Sequence, residues 1–234
     1  MRVNEKLRSL QERVASDGFA IVPDVLSGRE IAELQGMLDR SKLPRSRAGM
    51  RHAMRNASVA AVARDPRLIA MAQDVLGSAA LPFRATLFDK SPTSNWLVVW
   101  HQDTALPLRE RRETAGWGPW SIKDGVNYAH APASALEHVL ALRLHLDDSV
   151  AENGPLRILP ETHSLGVLSD EALHELSTQI QAVDCLVPQG GILAMRPLVV
   201  HASSKSQSRD PRRVLHIEYA VSSSMADGLE LAIA

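Results

Sequence analysis

The hydrophobic period of this chain changes near residue 80, and that change limits the folds open to it. Before it, apolar residues recur at helical spacing. Leu7, Leu10 and Val14 lie three and four apart in a run over residues 4–16 that Gly18 stops. Ser27 and Glu30 form a Ser-x-x-Glu capping box that opens a helix with Ile31, Leu34 and Leu38 on one face. Asp65 and Pro66 supply the N-cap and first position of another, with Leu68, Ile69, Ala72 and Leu76 apolar and Gly77 at its end. Between them Phe19-Ala20-Ile21-Val22-Pro23 reads as a brief strand, and Arg40 to Arg55 as a basic stretch without a period. After residue 80 the chain breaks into short apolar or alternating runs, Leu81–Asp89, Leu97–His101, His138–Leu146, Leu156–Leu159, Val183–Val187, Ile192–Met195 and Val214–Val221, separated by Pro, Gly, Asn or Ser. These spacings predict an α+β chain with a mainly β core, a barrel or jelly roll, flanked by N-terminal helices.

At 234 residues the chain fits one domain over 1–234, with 1–80 as helical support and 81–234 as the β core. Residues 104–135 show no clear period and carry Trp117 and Trp120, so they read as a lid-like insertion whose tryptophans either shape a pocket or anchor the loop. Twenty-six basic against 27 acidic side chains leave a net charge of −1, which excludes the footprint of a general nucleic-acid binder. No apolar run near the N-terminus serves as a signal peptide or membrane span, and the single Cys185 sits within an apolar run, so the expectation is a cytoplasmic protein. Serine or cysteine nucleophile chemistry has no motif behind it.

Chemistry concentrates in two places. Val98-Val99-Trp100-His101-Gln102-Asp103 puts a histidine and an aspartate two residues apart, on one face of a strand. Pro197-Leu198-Val199-Val200-His201-Ala202-Ser203, read as a second strand end, lies a hundred residues on. A jelly roll can bring the two together, and His101, Asp103 and His201 would then take one face of an octahedral iron. Arg212, eleven residues after His201, enters the last strand, where a guanidinium can hold a carboxylate through a bidentate fork. Arg143 and His145 share a strand face with Asp147, but alternation does not say which face is inward. His163 reads as a turn residue, and His52, His130, His138, His174 and His216 as surface or core.

Together, Trp100-His101-Gln102-Asp103, His145-Leu146-Asp147, the segment Glu152-Asn153-Gly154-Pro155-Leu156-Arg157-Ile158-Leu159-Pro160-Glu161-Thr162-His163, His201 with Ser203, and Pro211-Arg212 resemble the phytanoyl-CoA dioxygenase family. The resemblance implies a double-stranded β-helix, Fe(II) as metal and 2-oxoglutarate as cosubstrate, with His101, Asp103 and His201 as iron ligands and Arg212 on the distal carboxylate. It further implies cosubstrate or site contacts for Ser203, Gln102 and Thr86, and a small-molecule substrate with dioxygen. A carboxylate at Asp103, where related halogenases carry a small residue, favours hydroxylation or desaturation. Two turns depart from the family pattern: Gly190-Gly191-Ile192 stands for Gly-Asp, and Pro160-Glu161-Thr162-His163 for Pro-Gly-Ser/Thr-His. The competing readings are a cupin-like metal enzyme that uses no 2-oxoglutarate and a non-catalytic small-molecule-binding β-domain.

Overall fold

The computed structural model describes residues 8–41, 49–77, 79–91, 94–225 and 228–233; much of the basic stretch Arg40–Arg55, and Leu7, lie outside them. Local signals set the first elements. Ser9 and Glu12 form a capping box on α1 (Leu10–Asp17), and Gly18 ends it in the left-handed conformation. This helix therefore starts later than the apolar spacing suggests. β1 (Phe19–Val22) follows, then α2 (Gly28–Asp39) behind its Ser27–Glu30 box and α4 (Pro66–Leu76) behind Asp65. Between these helices lie β2 (Gly49–Met50) and α3 (Ala57–Ala63), whose N-cap Asn56 accepts from the amides of Ser58 and Val59.

The remaining strands are β3 (Leu81–Lys90), β4 (Val98–His101), β5 (Ala105–Leu108), β6 (Trp120–Lys123), β7 (Val126–His130), β8 (Val139–His145), β9 (Leu156–Ile158), β10 (Val183–Cys185), β11 (Ile192–Met195), β12 (His201–Ser203) and β13 (Arg212–Ala220). Short helices α5 (Ala133–Leu136) and α6 (Asp170–Gln179) interrupt them. A six-stranded sheet runs β1-β11-β8-β13-β3-β2 and a four-stranded one β10-β9-β12-β4; the described pairings are antiparallel.

Parity explains how the sheets pack. Leu140, Leu142 and Leu144 of β8, Leu215, Ile217 and Tyr219 of β13, and Ala85 and Leu87 of β3 lie in one cluster with Val14, Ile31, Leu34 and Leu68 from the helices. Their neighbours in sequence face the other way. Ala141, Leu193 and Met195 meet Leu156, Ile158 and Cys185 of the smaller sheet, with Val187 just beyond it, closing the jelly roll. The same inward rows carry Arg84, Thr86, Phe88 and Lys90 on β3, Arg143 and His145 on β8, and Arg212, His216 and Glu218 on β13. The β core therefore has a dry side against the helices and an interior that is apolar where the two sheets close and polar along these rows.

Residues 104–135, without a clear period in the sequence, carry regular structure. They form a third sheet, β5-β7-β6, with a two-residue turn at Asp124-Gly125 joining β6 and β7. Both turn residues have positive φ, 50° and 80°, as a hairpin turn with the strands' own twist requires. Trp117 is buried with Leu106, Leu108 and Leu136, and Trp120 packs against the same cluster, so both tryptophans anchor this sheet.

Candidate active site

Strand β12 lies beside β4 with His201 opposite His101, so residues a hundred apart in sequence become cross-strand neighbours. His201 opens its strand where a strand end was expected, because Pro197 to Val200 form a turn whose Pro197 carbonyl accepts the Asp103 amide at 2.9 Å. The two imidazole centroids stand 4.1 Å apart. Each Nδ1 lies 2.9 Å from the carbonyl of the residue two before it, Val99 or Val199, and donates to it. That fixes the tautomer and leaves both Nε2 lone pairs facing Asp103, at 3.7 Å from His101 and 3.5 Å from His201. The three donor atoms lie within 4.8 Å of one another.

Burial pushes His201 down to about 4, with His101 adding to that shift and Asp103 opposing it. Burial alone would raise Asp103, but His201, His101, His216 and Arg84 together hold it below the ordinary carboxylate range. Neutral imidazoles and an ionised carboxylate are the states a metal needs.

Beyond the triad the cavity is lined by Phe88, Lys90, Trp96, Arg143, Ser203 and Arg212, among others. Arg212 donates from Nε to the Asn153 carbonyl at 3.2 Å and from Nη2 to Ser203 Oγ at 3.4 Å. Lys90 donates to Ser203 Oγ at 2.8 Å and the Ser204 carbonyl at 2.6 Å, and its ammonium lies 5.4 Å from the Trp96 ring centre. The Ser203 hydroxyl passes its own proton to the Gly154 carbonyl at 2.9 Å. Among the described residues neither cation has a carboxylate at ion-pair distance. Burial, then Arg143, brings Arg212 down to about 10; burial, then Arg212 and Arg143, brings Lys90 down to about 8.

Of the residues named from sequence, His101, Asp103, His201, Ser203 and Arg212 converge here. Thr86 lies on the inward row opposite His216, between Arg84 and Phe88, away from the Arg212 end. Gln102 turns away, because a strand that points 101 and 103 inward points 102 outward. Its amide donates to the Gly166 and Leu198 carbonyls and accepts from the Leu168 amide, which ties the loops behind the triad together. His216, read as surface or core, is buried between Arg143 and Glu218, with Nδ1 accepting from Arg143 at 2.9 Å and Nε2 3.8 Å from the Glu218 carboxylate. Lys90, Phe88 and Trp96 escape a reading by motif; the one signal for Lys90 is its parity with Thr86 on β3.

The buried polar atoms test which groups fit. Two nitrogens and one carboxylate on a single side suit a facial iron site, and an unneutralised guanidinium with an ammonium 1% exposed suits a dicarboxylate. This combination defines an Fe(II)- and 2-oxoglutarate-dependent oxygenase on a double-stranded β-helix. More particularly, the chain belongs to the phytanoyl-CoA dioxygenase family, whose model matches residues 14–214. It is 23% identical to the L-proline trans-4-hydroxylase of Streptomyces griseoviridis, over 94% of this chain and 88% of that protein. It is 21% identical to the ectoine dioxygenase of Stutzerimonas stutzeri, over 90% and 75%. The crystal structure of the epimerase SnoN with Fe3+, α-ketoglutarate and nogalamycin RO superposes with a TM-score of 0.70 at 19% identity, covering 96% of this chain and 94% of that one.

Proposed function

We propose that this protein hydroxylates an unactivated C–H bond of a small molecule, consuming 2-oxoglutarate and dioxygen and releasing succinate and CO2. The observation behind this reading is the convergence of His101, Asp103 and His201 beside the carboxylate-free cation pair Arg212 and Lys90. The same pair argues against a cupin-like enzyme without 2-oxoglutarate, which has no use for it. When bound, iron and 2-oxoglutarate supply the oxidising chemistry.

The chain's own contribution is placement. His101 and His201 present Nε2 because their Nδ1 protons are engaged, and Asp103 supplies the anionic third ligand. Arg212 and Lys90 take the distal carboxylate of the cosubstrate, with Ser203 Oγ holding both cations in position. Phe88, Trp96, Val98 and Leu156 line the cavity with apolar surface and keep water from the reacting centre. On this reading residues 1–234 act as one oxygenase domain.

The test is succinate release by the purified protein with Fe(II), ascorbate and pooled metabolites. Succinate rises only when a substrate is present, the product gains one oxygen atom from labelled dioxygen, and Asp103→Ala loses turnover about 100-fold or more. A product of unchanged mass would replace hydroxylation by isomerisation. Iron binding that survives in a His101→Ala, His201→Ala double variant would remove the basis of the reading.

A further inference from the structure

Arg212 and Lys90 occupy one end of the inward rows of β3 and β13; Arg84 and Glu218 occupy the other. Arg84 gives Nε and Nη2 to the Glu218 carboxylate and Nη1 to the Ala105 carbonyl at 2.8 Å, so this pair is self-neutralised. Tyr128 of β7 lies beside it. Its hydroxyl lies 3.0 Å from His52 Nε2, and its ring lies 5.7 Å from the Arg84 guanidinium. Lys123, the last residue of β6, folds its ammonium over the same ring at 4.8 Å. While Ser121, Ile122, Asp124 and Gly125 around it are exposed, Lys123 is half-buried. Among the described residues it has no carboxylate at ion-pair distance. Its charged neighbours are Arg84, Arg51 and, toward the metal site, Asp103.

We propose that Lys123, seated on Tyr128, binds a carboxylate of the substrate, so that the substrate is a small monocarboxylic acid entering from the β6–β7 side. This rests on the oxygenase reading above. Cosubstrate at the Arg212 end leaves the Arg84 end for the substrate. There the Arg84 and Glu218 charges cancel, and a half-buried ammonium facing two guanidinium groups is the unmet cation. One ammonium matches one negative charge, and the neighbouring Arg51 adds to the same sign. The Tyr128 ring orients the ammonium without neutralising it.

The experiment is equilibrium binding, under nitrogen, of short monocarboxylic acids and free α-amino acids, each beside its primary amide, to protein loaded with Fe(II) and 2-oxoglutarate. At least one acid binds, its amide binds about 10–100-fold more weakly, Lys123→Gln erases that difference, and Lys123→Arg restores most of it. The affinity for 2-oxoglutarate stays unchanged in both variants, and circular dichroism reports their fold. If no acid binds, if acid and amide bind alike, or if the preference survives in Lys123→Gln, the proposal is overturned. Failure of wild-type protein to bind 2-oxoglutarate would instead overturn the oxygenase reading beneath it.

Discussion

In the role proposed for it, Arg212 works by shape as well as by charge. A lysine there keeps the charge and loses the planar fork, so Arg212→Lys raises KM for 2-oxoglutarate about 10–100-fold while iron affinity, measured by titration, stays the same. Lys90 adds a pH signature. With its proton it attracts a dianion, and without it the attraction is lost; burial and two neighbouring guanidinium groups bring that transition down to about 8. Consequently kcat/KM for 2-oxoglutarate falls as pH rises through about 8, and Lys90→Met lowers it below that pH and removes the break. The triad, Ser203 and Arg212 are legible in sequence because their chemistry is tied to fixed spacings: two, two and eleven residues. Lys90, Arg143 and His216 are not, because alternation gives two faces and only the packed helices decide which is inward. Gln102 fails for the complementary reason: it sits inside a motif yet obeys the parity of its strand.

Caps and turns govern the elements. Ser27→Ala removes the hydroxyl that accepts the Glu30 amide in the capping box on α2, whose Ile31, Leu34 and Leu38 carry the helix onto the sheet, and costs about 1 kcal/mol by urea denaturation. Glu161 occupies a left-handed turn, φ 68°, at the position where the family pattern has glycine. Glu161→Gly relieves that strain and stabilises the protein by about 0.5–1 kcal/mol, read as a higher Tm. Gly154 is the opposite case. With φ 68° and space for a Cβ only 2.4 Å from the Ser204 carbonyl, Gly154→Ala displaces the backbone that Lys90 and Ser203 bond, so it lowers Tm and weakens 2-oxoglutarate binding together. The helices with polar caps, α2 and α4, are readable from those caps. The sheet β5-β7-β6 hides because its strands are four or five residues long, with Pro107 in one and Gly118-Pro119 just before another. Its one local signal is Asp124-Gly125, a two-residue hairpin turn that a search for periods passes over.

Seen as a whole, the molecule encloses ionisable groups within apolar walls, and its stability depends on pH accordingly. His145, His201 and His216 are buried and held below the ordinary histidine value of about 6.5, mainly by burial, with Arg143 adding to each. Unfolding frees them to bind protons, so stability is full above about 6.5 and falls as pH drops below it, by up to about 1.4 kcal/mol per pH unit for each histidine. His145 is the cleanest of the three, being 1% exposed with neither ring nitrogen hydrogen-bonded. In metal-free protein His145→Leu reduces the slope of stability against pH below 6.5 by one histidine's share, as denaturation at several pH values will show. The pairing of His101 with His201 has a consequence for biosynthesis. A growing chain holds only His101 and Asp103 of the donor set until residue 201 has been made, and it lacks the Arg212 fork for eleven residues more. On the proposed ligand set, metal loading follows translation of the β core, and a ribosome-bound fragment ending before β12 offers iron no complete site.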